Sequence, residues 1–256
     1  MPAPDVAPIV EPPVARPLSV HLHAKLVSPE TLAGGVAVVI DNLRASVTMT
    51  AALFNGAKAV IPTLTVDDAL AVKAENGPDV VLGGERGGVL IPGFDLDNSP
   101  RAYTRQRVAG KTVAFTTVNG TAALLLCRHA AKVLVGSFVN LSALCRAVEA
   151  DERPVHLMCC GTRDEIGLDD ILPAGAMVER LVAAGRRFVS DDSARLALLA
   201  WHEARRTGLP HAMAQSRGGR GMARVGLSDD LPSCIDIDSM PIVPEFHRTL
   251  GMLMAD

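Results

Sequence analysis

Two stretches of this sequence carry residues whose types and spacing could do chemistry. The first is Asp41-Asn42-Leu43-Arg44, which sets a carboxylate and a guanidinium three residues apart. That pair suits a metal-binding or acid/base group beside an anion clamp, and equally an ion pair that ties a loop together. The second is Gly83-Gly84-Glu85-Arg86-Gly87-Gly88, four glycines around an acid–base pair. Glycine lets a backbone approach a ligand closely, while Glu85 and Arg86 project into the same space. The competing reading is a tight hairpin with solvated charges, and the number of glycines favours function. The spacing is not that of a Walker loop. Asp95, Asn98 and Ser99, in the loop that follows, are within reach of the same place.

Weaker groups surround these two. Thr116-Thr117-Val118-Asn119-Gly120-Thr121 brings hydroxyls, an amide and backbone N–H groups to a helix start. That is neutral equipment for phosphate or sulfonate oxygens, or an ordinary N-cap by Asn119 or Thr121. Asp169-Asp170, also at a helix start, is the best remaining carboxylate pair for Mg2+, with helix-dipole capping as its competitor. Arg217, Arg220 and Arg224 near Ser216 read either as a lid over an anion or as a solvated loop. Adjacent Cys159 and Cys160 end an apolar run and read as buried, inert thiols. No Cys-x5-Arg signature surrounds them, Asp41-Asn42-Leu43 is not a DxD phosphatase motif, and no GxSxG elbow is present.

The elements that must position these residues follow from periodicity. Gly35–Ile40 is an apolar run with three β-branched residues at its end, a strand buried on both faces, and Ala45–Phe54 is a helix closed by Asn55-Gly56. Asp41 and Arg44 therefore fall on the turn at a strand's carboxyl end, where open α/β sheets bind ligands. Leu18–His23 alternates as a first strand at an edge, with His21 and His23 on one face. Strands at Ala59–Pro62 and Asp79–Leu82 flank a helix opened by Val66-Asp67-Asp68. The order then echoes itself: strand Lys111–Phe115, polar turn, helix from Thr121, strand Ala131–Val135 and helix Leu141–Val148. The echo describes a βαβα module used twice. Pro154–Cys159 is a further strand, Ala174–Ala184 and Asp191–Trp201 are helices, and Pro241–Pro244 is a terminal strand. The fold class is α/β, a three-layer sandwich with a largely parallel or mixed sheet.

Composition sets the remaining bounds. The 256 residues are 48% hydrophobic but only 3% aromatic, so the core is built from Val, Leu, Ala, Ile and Met. Residues 1–16, with five prolines, read as a disordered tail, and 17–256 as one α/β unit that two pseudo-repeated halves could compose. A net charge of −3 argues against a nucleic-acid or membrane-surface binder. No apolar run approaches the ~20 residues of a membrane span, and the amino terminus lacks a signal-peptide pattern. Five cysteines without a CxxC pair fit reduced thiols and a cytoplasmic protein. Ala- and Leu-rich helices would suit a homodimer interface.

Taken together, the motif blocks resemble the 2-phosphosulfolactate phosphatase family. The matching residues are Val39-Ile40-Asp41 with Leu43-Arg44-Ala45-Ser46, Asn55-Gly56-Ala57, Gly84-Glu85-Arg86-Gly87-Gly88, Ile91–Asp95 and Asn98-Ser99-Pro100. Thr116-Thr117 with Asn119-Gly120-Thr121, Gly136-Ser137-Phe138 and Gly161-Thr162 follow in order, with fainter echoes at Asp169-Asp170 and at Gly226-Leu227 with Asp230. Asn42, Asp97, Cys160 and Pro173 depart from the pattern. The resemblance implies a Mg2+-dependent hydrolase that removes phosphate from 2-phospho-3-sulfolactate, a step toward coenzyme M. It implies Asp41, Arg44, Glu85 and Arg86 as catalytic, and Asp41, Glu85, Asp169 and Asp170 as candidate metal ligands. Thr116, Thr117, Asn119, Gly120, Thr121 and Ser137 are then the substrate-binding candidates. Such a substrate carries three anionic groups, so several clamps in one pocket are what it demands.

Overall fold

The computed structural model describes residues 15–188 and 192–255, so the expected disordered tail lies, up to residue 14, outside the described residues. In chain order the elements are β1 (Pro17–His21), β2 (Val36–Ile40), α1 (Ala45–Phe54), β3 (Ala59–Thr63), α2 (Val66–Asn76), β4 (Val80–Arg86) and β5 (Val89–Leu90). Then come α3 (Arg105–Val108), β6 (Thr112–Thr116), α4 (Gly120–Leu126), β7 (Lys132–Gly136), α5 (Leu141–Glu149), β8 (Val155–Cys159), α6 (Leu168–Ala183) and β9 (Arg187–Phe188). The chain ends with α7 (Asp192–Thr207), α8 (Leu209–Gln215), α9 (Arg217–Arg224), α10 (Leu231–Cys234), β10 (Glu245–His247) and β11 (Met252–Met254).

The strands form one sheet in the order β5-β4-β6-β3-β11-β10-β7-β2-β8-β1-β9. Two parallel groups, β4-β6-β3 and β7-β2-β8-β1-β9, are joined through the antiparallel hairpin β10–β11. The α/β class and largely parallel, mixed sheet expected from the sequence are thus present. The sequence echo is also a structural repeat, with its strands exchanged. β2 lies between β7 and β8, both from the second module, and β6 lies between β3 and β4, both from the first. Three antiparallel steps separate β7 from β3, so the two groups run in opposite directions, as a pseudo-twofold axis requires.

Burial shows how the sheet is bent. Val36, Val38 and Ile40 of β2 face one core with α5, α6 and α7, while Ala37 and Val39 face another. That second core also holds Val113 and Phe115 of β6, Val60 of β3, and Met49 and Leu124 of α1 and α4. Helix α4 touches both β2 and β3, four positions apart, about 19 Å in a flat sheet and too far for a helix ~10 Å wide. The sheet curls around α1 and α4. Nine of ten α1 residues are buried, and small side chains make this possible. Its buried hydroxyls are satisfied, Thr48 by Asn98 O, Thr50 by Ser46 O and Ser46 by Val39 O.

Several boundaries differ from expectation. Strand β1 stops at His21 and lies between β8 and the two-residue β9. His23 is beyond it, its Nδ1 accepting from Lys25 N, while the His21 ring stacks on His156. The basic segment expected as a loop is helical, in α8 and α9, because Ser216 caps the latter by accepting from Gly219 N. Pro241–Pro244 is not a strand; the terminal pairing falls at β10 and β11 instead. Asp191 lies outside the described residues, and α7 follows from Asp192. Among the described residues no helix is long and apolar enough to cross a membrane.

Candidate active site

The turn after β2 is built to hold its carboxylate still. Asp41 N donates to Ser46 Oγ at 2.8 Å, and Ala45 N donates to Asp41 Oδ1 at 3.3 Å, so the first turn of α1 wraps the aspartate. Asp41 is 8% exposed. The turn after β6 meets it from the other module. A Cβ on Gly120 would sit 2.7 Å from Ala45 Cβ and 2.8 Å from Asp41 Oδ2, so only glycine allows the two helix starts this approach.

The glycine-rich stretch divides into two parts. Gly83 and Gly84 belong to β4, and a Cβ at Gly84 would fall on the Thr116 carbonyl. Gly87-Gly88 alone make the hairpin turn to β5, both with positive φ. Glu85 bridges the hairpin and the second turn: its Oε2 accepts from Gly88 N at 2.6 Å and its Oε1 from Val118 N at 3.2 Å. Arg86 donates to Thr116 Oγ1 at 2.9 Å and to Leu64 O at 3.1 Å, which holds it across the ends of β4, β6 and β3.

The third wall is the start of α6. Asp169 and Asp170 are both 1% exposed. Asp170 accepts from Asn42 N at 3.0 Å and from Gly161 N at 2.8 Å, stapling the turns after β2 and β8 together. Asp169 accepts from Gly218 N at 3.1 Å, where α9 begins. The pair therefore does not simply cap its own helix. Burial, with the Asp169 and Glu85 charges adding to it, pushes the Asp41 carboxyl up to about 7. Burial likewise raises Asp169, and raises Asp170 well above the carboxylate range with Asp169 and Asp41 as neighbours. Burial thus favours the protonated carboxyls here, with the neighbouring acids adding to it at Asp41 and Asp170.

Arg44 supplies a cation acting on Asp41, and Arg220 one acting on Asp169. Arg44 donates to Asp230 Oδ2 at 2.6 Å and to Gly88 O at 3.1 Å. So Asp41, Arg44, Glu85, Asp169, Asp170 and the Thr116–Thr121 turn come together. Within that turn Thr117 and Thr121 are occupied with each other, Thr121 N donating to Thr117 Oγ1 at 3.3 Å and Thr121 Oγ1 to Thr117 O at 2.8 Å. Asn119 precedes α4 without a side-chain capping bond. Ser137 is fully buried and donates to Asn140 Oδ1 within its own turn, one strand away from β2. Two residues had no role in the sequence reading. Asn42, a departure from the family pattern, donates to Cys234 O and accepts from Phe138 N. Asp230, only a faint echo of that pattern, is 3% exposed. All five cysteines are buried free thiols, and burial raises Cys159 and Cys160 well above their usual range.

The comparisons with known proteins agree with this geometry. The model of the 2-phosphosulpholactate phosphatase family matches residues 21–249. The chain belongs to that family. A probable 2-phosphosulfolactate phosphatase of Symbiobacterium thermophilum is 41% identical over 229 residues, covering 88% of this chain and 97% of the relative. The protein of the same name from Deinococcus radiodurans is 41% identical over 219 residues, 84% and 89% of the two chains. That of Caldanaerobacter subterraneus is 38% identical over 212 residues, 82% and 87%. The family is one of phosphoric monoester hydrolases, and the match takes in every carboxylate and arginine of the site.

A divalent cation can be tested against these donors. Among the described residues no three His, Cys, Asp or Glu side chains converge on one metal-binding point. The chemistry still fits Mg2+, which takes one or two carboxylates and completes its shell with water and substrate oxygens. Asp41 and Asp169 are hard oxygen donors whose charges oppose one another, and Asp169 also accepts from Gly218 N. Both Asp170 oxygens already accept backbone N–H bonds, as do those of Glu85.

Proposed function

We propose that this protein is a Mg2+-dependent phosphatase that hydrolyses 2-phospho-3-sulfolactate to 3-sulfolactate and inorganic phosphate, the kind of step that leads toward coenzyme M. The observation that carries the reading is the buried carboxylate group of Asp41, Asp169 and Asp170 beside the Arg44 guanidinium, where the turns after β2, β6 and β8 meet.

Asp41 and Asp169 would hold the metal ion, which when bound neutralises phosphoryl oxygens and orients the attacking group. Arg44, at the start of α1, offers its remaining N–H donors to the phosphoryl or carboxylate oxygens, and charge-assisted bonds of that kind are the strong ones. Arg86 and the Asn119–Gly120 corner border the same space and suit the sulfonate. Without the metal ion burial pushes the Asp41 carboxyl up to about 7, so metal binding would displace its proton and leave the carboxylate as a ligand. Burial of the site keeps these charges away from water and so makes them effective.

The test is phosphate release from 2-phosphosulfolactate, with and without Mg2+ and EDTA, beside a panel of other small phosphorylated acids. The reading expects release that needs Mg2+ and prefers the sulfonated substrate. Equal or better release from unsulfonated acids would assign the chain a different substrate, and binding without turnover would make it an anion-binding protein.

A further inference from the structure

Arg44 has a partner that no local spacing announces. Its side chain is 3% exposed and that of Asp230, 186 residues away, is 5% exposed. One Asp230 oxygen takes the guanidinium at 2.6 Å, and the other accepts from Ser99 Oγ at 2.7 Å, with Arg101 at 3.8 Å on the outer side. The second Arg44 nitrogen donates to Gly88 O at 3.1 Å. Four segments are therefore linked through one ion pair: the turn after β2, the β4–β5 hairpin, the loop before α3 and the turn before α10. Helix α10 adds a second tie to the turn after β2, because Asn42 Nδ2 donates to Cys234 O at 3.0 Å.

A guanidinium has five N–H groups in one plane. The bonds to Asp230 and Gly88 use two of them and fix that plane, leaving the others a single orientation. A buried ion pair with no other task is replaceable by apolar packing. This one instead sits on the Asp41 turn, three residues from Asp41 and close enough for its charge to act on that carboxyl. We propose that Asp230, itself fixed by Ser99, is the positioning residue of this site: through its bond to Arg44 it sets the orientation in which that guanidinium meets an anionic group of the substrate. The proposal rests on the reading of the Asp41–Arg44 turn as catalytic.

The experiment is a double-mutant cycle on kcat/KM for phosphate release, using the whole chain, with Asp230→Asn, Arg44→Ala and both together. Thermal melts establish that each variant is folded. Arg44→Ala is expected to lose about 10³-fold. Asp230→Asn is expected to lose about 10²-fold, the scale of a misplaced group, and the double variant to be no worse than Arg44→Ala alone. Should Asp230→Asn not fold, Ser99→Ala and Asp230→Glu carry the test, each expected to lower kcat/KM by less. Losses that multiply in the double variant, or wild-type kcat/KM in the folded Asp230 and Ser99 variants while Arg44→Ala is inactive, overturn the positioning role. Calorimetric binding of inorganic phosphate runs in parallel. Without wild-type turnover, phosphate binding weakened alike in Asp230→Asn and Arg44→Ala keeps the positioning role and overturns the phosphatase reading. Equal phosphate binding, or equal lack of it, in all three overturns the role.

Discussion

The turn after β2 and the turn after β6 occupy the same place in two copies of one module, yet their chemistry differs. Each ends a central strand and opens a helix, and they touch where Gly120 meets Ala45 and Asp41. The first turn carries Asp41 and Arg44 and is backed by two more buried acids from α6. The second carries hydroxyls and an amide and is backed by the β4–β5 hairpin through Glu85 and Arg86. The repeat supplies position, and the side chains laid over it supply function. A fold that brings two strand ends together needs charge on only one of them.

That contrast can be broken at its strongest point first. Asp41→Asn should abolish phosphate release, a loss of about 10³-fold or more, whereas Thr117→Val in the second turn should cost about 1 kcal/mol of stability and leave most activity. Matching losses from the two would erase the distinction between a reacting turn and a supporting one. Next is Gly120→Ala, whose added methyl meets Ala45 and the Asp41 carboxylate; overpacking there should cost about 1–3 kcal/mol in denaturant melts and lower kcat with it. Unchanged melts and rates would show that the two turns are not in contact.

The pH dependence sharpens the same comparison. Asp41 is held near 7 in the folded, metal-free protein and titrates near 3.8 when unfolded. Between those values the native state binds the extra proton, so this group's contribution is fullest below about pH 4 and is lost as pH rises through 7. Wild-type stability, measured against Asp41→Asn without metal, should therefore fall from pH 4 to 7 and level off above it. A rising difference would mean that Asp41 is stabilised as an anion. The smallest effect belongs far from both turns. Thr65→Ala removes the capping box with Asp68 at the start of α2 and should cost about 1 kcal/mol with unchanged kcat/KM.

Most of this arrangement is legible in local sequence where the signal is local. The apolar run into Asp41, the small residues of α1 and the second strand–turn–helix echo gave their elements nearly to the residue. The strand exchange did not, because which module a strand pairs with is decided by burial across the sheet, and no residue of β2 or β6 names its neighbour. Pro241–Pro244 has strand-like composition, yet its two prolines lack an N–H to donate, and β7 is met by Pro244 O and Glu245 while β3 is met by Leu253. The glycine-rich segment was legible as a hairpin, which Gly87-Gly88 turn, while Gly84 serves to admit the Thr116 carbonyl against β4. The pairing of Asp230, itself only a faint echo of the family pattern, was hidden because its partner lies 186 residues away. An acid in a polar 3-10 turn looks solvated until the fold closes over it.

The central claim is that the buried acids on the Asp41 side form a divalent-metal centre. Calorimetric titration of Mg2+ into the wild-type protein and into Asp41→Asn, at pH 6 and pH 8, tests it most directly. The account predicts one site in the wild type, tighter at pH 8 because the bound proton no longer competes, and its loss in the variant. No binding by the wild type, or the same affinity in the variant, would contradict it.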